Sequence, residues 1–225
     1  MKNNNFKHKK FIQVYSLLFA FLMSSISFAQ SKDPKAKQLL NEVNAKVNSY
    51  DNIQISFKYV LENESENIRQ ETKGKVTLEG DKYVLDVLGI QRIYDGETLY
   101  TISPEDEEVT ISKENPDEEN TIAPSQLLSF FESGYNYTLD IIQDKMGRKI
   151  QYIKLTPIDS SSEVKFALLG IDIKTKHIYN LIEIGENKTK TTLNVLEFIT
   201  NTPLPQSFFT FDASKYSAYY INNLD

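Results

Sequence analysis

Ile53-Gln54-Ile55-Ser56-Phe57-Lys58-Tyr59-Val60-Leu61 sets large apolar side chains at every odd position, against Gln, Ser, Lys and Val at the even ones. A period of two belongs to a strand with one face buried. Downstream, a polar turn at 62–67 leads into a strand at 68–78, and Gly80-Asp81 turns the chain into 82–88, where Tyr83, Leu85 and Val87 share a face. Strands follow at 91–94, 97–102 and 109–113, separated by Asp95-Gly96 and by Pro104 with its acidic neighbours. Connections this short between consecutive strands imply antiparallel pairing.

The alternation then stops. Residues 114–120 form a charged, proline-containing loop, and 121–133 read as a short helix whose Pro124, Leu127, Leu128, Phe130 and Phe131 are too apolar for an ordinary surface helix. Strands resume at 137–143, 149–156, 164–173, 177–184 and 189–199. Across Gly170 the apolar phase moves from Val164, Phe166 and Leu168 to Leu169, Ile171 and Ile173, which predicts a bulge and a curved sheet. The tail at 204–211 predicts a last turn and strand. Upstream of residue 53, Asp33 can cap a helix with Pro34 in its first turn, and Leu39, Leu40, Val43 and Val47 form one stripe. The fold class is α+β: a large curved antiparallel sheet of ten or eleven strands, with helices covering its concave side.

Before that helix, Lys2, Lys7, His8, Lys9 and Lys10 precede an apolar run from Phe11 to Met23 and small residues at Ser27 and Ala29. That order is one of a secretory signal peptide cut after Ala29, giving 1–29 as the signal and 30–225 as a single domain. The run is shorter than the ~20 residues of a spanning helix. The exported chain then carries 21 basic and 31 acidic side chains and reads as a soluble periplasmic monomer. Its acidity argues against nucleic acid as a partner.

Few chemical tools remain. The chain has no cysteine, and His177 is the one histidine after residue 29. Thiolate metal sites, thiol nucleophiles and lipidation at a cleavage-site cysteine are excluded. No serine-hydrolase elbow, zinc helix, phosphate loop or dinucleotide glycine pattern occurs. The acidic groups at 105–108 and 117–119 lie in loops at consecutive spacing, which scatters their side chains. They leave an exported hydrolase working with two carboxylates as a weaker reading. The surplus is apolar: eight Phe and twelve Tyr follow residue 29. Periodicity leaves open whether both helices close a solid core or lid an apolar cavity.

Several segments resemble the LolA-type periplasmic lipoprotein carriers. Tyr94-Asp95-Gly96-Glu97-Thr98-Leu99-Tyr100 is similar to that family's D-G-x-T-L-aromatic hairpin. The opening helix with Ile53, Ile55 and Phe57, the hairpin from Gly74-Lys75-Val76-Thr77-Leu78 to Tyr83-Val84-Leu85, Leu155-Thr156-Pro157 and Phe209-Thr210-Phe211 match further landmarks in order. The resemblance implies an unclosed β-barrel with a lidded hollow. It also implies a carrier, not an enzyme, that shields lipoprotein acyl chains between inner and outer membrane. Its partners would be acylated lipoproteins, an inner-membrane ABC-type exporter and an outer-membrane acceptor, with no cofactor of its own. A binder or sensor of another amphiphile, such as a glycolipid, is the alternative on the same fold. Parity and position in the family pattern together select Val43, Val47, Phe57, Tyr59, Tyr83, Leu85, Ile93, Leu127, Leu128, Phe130 and Phe131 for the cavity and lid. The family's latching arginine has no counterpart in Gly80-Asp81-Lys82, so Lys82, Arg69 and Arg92 are the candidates for a latch.

Overall fold

The computed structural model describes residues 33–113 and 128–224. Helix α1 spans Pro34–Val47. Asp33 caps it, accepting from the backbone N–H of Lys35 at 2.8 Å and of Ala36 at 3.4 Å. The same residue stitches the helix to the sheet. Its N–H donates to the Tyr137 carbonyl at 3.0 Å, and its other carboxylate oxygen accepts from the Leu139 N–H at 3.3 Å. The apolar stripe of α1 turns Ala36, Leu40 and Val43 inward, with Leu39 and Val47 at its margins.

Twelve strands make one sheet among the described residues: β1 Ile53–Asn63, β2 Ile68–Glu79, β3 Lys82–Val87, β4 Ile90–Tyr94, β5 Thr98–Ser103, β6 Glu108–Lys113, β7 Tyr135–Lys145, β8 Arg148–Pro157, β9 Val164–Asp172, β10 Ile178–Gly185, β11 Lys190–Thr200 and β12 Tyr220–Asn223. Their order is β12-β6-β5-β4-β3-β2-β1-β11-β10-β9-β8-β7. Every pairing is antiparallel except the parallel one of β12 with β6. The edges β12 and β7 do not meet, so the sheet stays unclosed. Register shifts in β1–β11, β7–β8 and β9–β10 supply the irregularities that bend such a sheet. At the β4–β5 turn the D-G-x-T motif has a mechanical reason. Asp95 accepts from the N–H of Glu97 at 2.9 Å and of Thr98 at 2.8 Å, while Gly96 takes a φ of +102°, a region L side chains avoid.

The sheet is covered on its α1 face and, behind β3–β6, on the other. Under α1 lies the larger core, built from Ile53, Ile55, Phe57, Val76, Leu78, Tyr83, Ile153, Leu155, Leu169 and Ile171 with Leu128 and Phe131. On the opposite face, Val84, Ile93, Ile102 and Val109 meet the C-terminal segment through Leu204, Phe208, Phe209, Phe211, Tyr216 and Tyr219. Phe211 lies stacked between Tyr100, at 4.6 Å, and Tyr216, at 5.4 Å between ring centroids.

Three expectations are corrected here. The strand predicted at 204–211 is a run of turns, because its phenylalanines cap the second core, and the chain's last strand is instead β12. Of the helix predicted at 121–133, residues 121–127 lie outside the described residues and the remainder holds only a 3-10 turn at Phe130–Glu132. The irregularity expected at Gly170 belongs to its partner strand. Ile178 pairs with Ile171 and Asn180 with Gly170, leaving Tyr179 as the extra residue of β10, while β9 keeps unbroken register with β8. Gly170 is needed for space. A Cβ there would come within 2.2 Å of Asn180 Oδ1 and 3.0 Å of the Tyr152 ring.

Candidate functional site

β6 and β7 are consecutive strands but lie toward opposite ends of the sheet. Residues 128–132, which lead into β7, pack on the α1 side. Leu128 is 6% exposed and Phe131 1%, with Phe130 edge-on to Phe131 and to Tyr135. Glu132 accepts a hydrogen bond from the Asn44 side chain of α1, which ties this turn to the helix. The far end of α1 is held as well. Lys176 pairs with Glu42 at 2.7 Å, and Tyr50 Oη is 2.8 Å from His177 Nε2. His177 also stacks on Phe198 with centroids 4.1 Å apart. Burial, with Lys46 nearby, lowers the His177 pKa from its ordinary 6.5, and Asp172 opposes that shift.

Beneath these elements is an apolar cavity of about 40 Å³. Eight strand residues form its walls: Ile55, Phe57, Val76, Leu169, Ile178, Leu181, Leu193 and Val195. Leu128 and Phe130 close it from outside the sheet, and no charged residue lines it. A larger open groove of about 700 Å³ lies elsewhere, along the cross-strand row Ser56, Lys75, Asp86, Gln91 and Ile102 on the face away from α1. Lys73, Lys75 and Asp86 line that groove, and a hydrocarbon chain laid there would desolvate charge. The smaller, charge-free cavity is therefore the candidate site for an apolar ligand.

Of the residues selected from sequence, Phe57, Leu128 and Phe130 line this cavity. Val43, Tyr83 and Phe131 are buried in the surrounding core, with Val47 and Leu85 partly buried against it. Tyr59 lies on the same face, half-buried and opposite Leu193 of the cavity wall, without lining the cavity itself. Ile93 is corrected: it faces away from α1 and packs in the second core, because its cross-strand partner is Val84. Leu127 lies outside the described residues. The latch candidates separate too. Arg69 is engaged by Glu62 and by Glu71, the latter at 3.6 Å, on the face away from α1. Lys82 shares that face opposite Glu79 and lies along Gly96, so both cations face away from the described lid residues Leu128 and Phe130. Arg92 alone is on the α1 side, between Leu85 and Thr101 on the neighbouring strands. Leu193 and Val195 were readable by alternation, as Ile55 was by its parity with Phe57. Ile178 was not, because Tyr179 shifts the phase of β10.

No protein-family model matches the chain, and no curated protein sequence does. Solved structures do match it. An uncharacterized conserved protein from Thermus thermophilus is 11% identical, with 84% of this chain and 99% of that one covered and a TM-score of 0.59. LprF from Mycobacterium bovis is 12% identical, with 78% and 98% covered and a TM-score of 0.48. A LolA superfamily protein from Nitrosomonas europaea, of the family the sequence resembles, is 13% identical, with 79% and 98% covered and a TM-score of 0.44. At these identities the likeness is one of fold, and it rests on the Thermus structure. Among the described residues, no helix is long and apolar enough to cross a membrane.

Proposed function

We propose that this chain is a periplasmic carrier that shields the acyl chains of lipoproteins between inner and outer membrane, and that it acts by binding, not by catalysis. The observation that carries this reading is the charge-free cavity on the α1 face of an unclosed sheet, shut by two side chains from outside the sheet. The sequence resemblance and the signal-peptide pattern of residues 1–29 support it. An inner-membrane ABC-type exporter would load the carrier and an outer-membrane acceptor would unload it, so the carrier itself needs no nucleotide or cofactor.

Magnitudes favour a lid. Exposing an acyl chain of about fifteen methylenes to water costs on the order of 12 kcal/mol, at ~0.8 kcal/mol per CH₂. The cavity, about 40 Å³, is far too small for such a chain, so Leu128 and Phe130 would have to withdraw for one to enter. Withdrawing Leu128 and Phe130 would cost up to about 3–6 kcal/mol of lost burial. That is less than the chain gains by entering, and small enough for release to a partner. Arg92, on the lid's side of the sheet, is the proposed latch.

Binding of a neutral hydrophobic fluorescent probe tests the site. Leu193→Glu, in the cavity wall, should weaken binding at least tenfold while thermal unfolding stays cooperative. Leu196→Glu, in the groove on the other face, should leave it unchanged. Normal binding by Leu193→Glu would set the reading aside. In cells, depletion should leave outer-membrane lipoproteins at the inner membrane, and unaltered sorting would favour a different amphiphile as cargo.

A further inference from the structure

We propose that Glu183 is a head-group subsite at one end of the hollow, so that the preferred ligand is an amphiphile whose polar end carries an ammonium group. This rests on the reading that the hollow takes a hydrocarbon chain.

The placement follows from register. Leu181 and Leu193 are cross-strand partners in the cavity wall, and Leu193 in turn faces Tyr59. One rung along, Glu183 is opposite Thr191 on one side and Ala167 on the other, and Thr191 faces Leu61. Two residues along a strand is about 6.8 Å, so the carboxylate stands just beyond the apolar wall and on the same face.

Thr191 Oγ1 donates to Glu183 Oε2 at 3.1 Å, and no lysine or arginine forms an ion pair with it among the described residues. The Tyr59 phenol is hydrogen-bonded to Thr191 as well. A second phenol, Tyr135, stands within the field of Glu183. Burial first and the Glu183 charge second raise the pKa of both tyrosines. Phe130, which closes the cavity, packs edge-on against Tyr135 with centroids 5.9 Å apart.

A carboxylate one rung beyond an apolar wall, with two phenols in its field, is the chemistry that recognises alkylammonium groups. An ammonium gains a charge-assisted contact with Glu183 and the faces of the tyrosines. A neutral head gains a hydrogen bond at most, and an anionic head is repelled. In a lipoprotein, the matching group would be a terminal amine left free beside the acyl chains.

Calorimetric titration of the protein with dodecyltrimethylammonium, dodecanol and dodecanoate, each below its micelle concentration, separates the two ideas. Dodecanol binding tests the hollow, and the ranking of heads tests the subsite. The ammonium should bind at least tenfold tighter than the alcohol, with the carboxylate weakest. Glu183→Gln should bring the three within about threefold at an unchanged melting temperature, and Tyr135→Leu should weaken only the ammonium. Equal affinities in the parent chain, or the same ranking in Glu183→Gln, would overturn the subsite while leaving the hollow standing. Failure of all three ligands to bind would overturn both.

Discussion

Gly170 shows how much a single position can fix. It allows Asn180 and Tyr152 to close over the backbone of β9, and both are buried there. Gly170→Ala sets a methyl group where Asn180 Oδ1 already is. It should destabilise the fold by about 1–3 kcal/mol, the usual cost of overpacking, seen as a lower midpoint in urea with unchanged slope. The sequence made this residue conspicuous by interrupting an apolar run, and the irregularity is indeed at its level. It did not reveal that the extra residue is Tyr179 on the neighbouring strand, since a break in phase looks the same whichever strand carries the insertion. Ile93 teaches the same lesson. Alternation distinguishes the two faces of β4 but not which core each one meets.

Helix α1 is held at both ends, and the two ends respond differently to pH. At its start, Asp33 has its pKa lowered, chiefly by the backbone N–H of Leu139 and then that of Lys35. At its far end, Tyr50 and Phe198 hold a half-buried His177 whose pKa is also lowered, by burial before the Lys46 charge. A histidine that resists protonation when folded contributes its full stability above the ordinary value of 6.5. That contribution is lost as pH falls from there toward the folded pKa. Denaturant titrations should show stability declining between pH 7 and pH 5, and His177→Gln should flatten that decline; an identical slope in the variant would contradict it. The helix itself was legible, because Asp33, Pro34 and a four-residue apolar stripe agree. The described end of the second predicted helix was less so: Leu128 and Phe130 cap a cavity and Phe131 is buried in the core from a tight turn, a demand for burial that any compact conformation meets.

At the scale of the whole molecule, the open sheet carries a different coat on each side: α1 with the 128–132 turn on one, the C-terminal segment on the other. Strand order along β1–β6 was readable from short turns. The second coat was not, because its aromatic residues lack periodicity and their register depends on a distant surface. Phe211→Ala, which empties the stack between Tyr100 and Tyr216, should cost about 1.5–3 kcal/mol of stability. Probe binding on the α1 side should be unaffected once the variant is folded. A coupled loss of binding, measured on folded protein by fluorescence titration, would mean that the two faces are not independent.

The interlocked rings behind β3–β6 therefore act as a splint. The splinted strands are not the ones that wall the cavity, which come from β1, β2 and β9–β11, so a guest under the helix can displace those strands and α1 without disturbing the splint. Swelling is confined to one flank, and the protein can breathe there without loosening its spine.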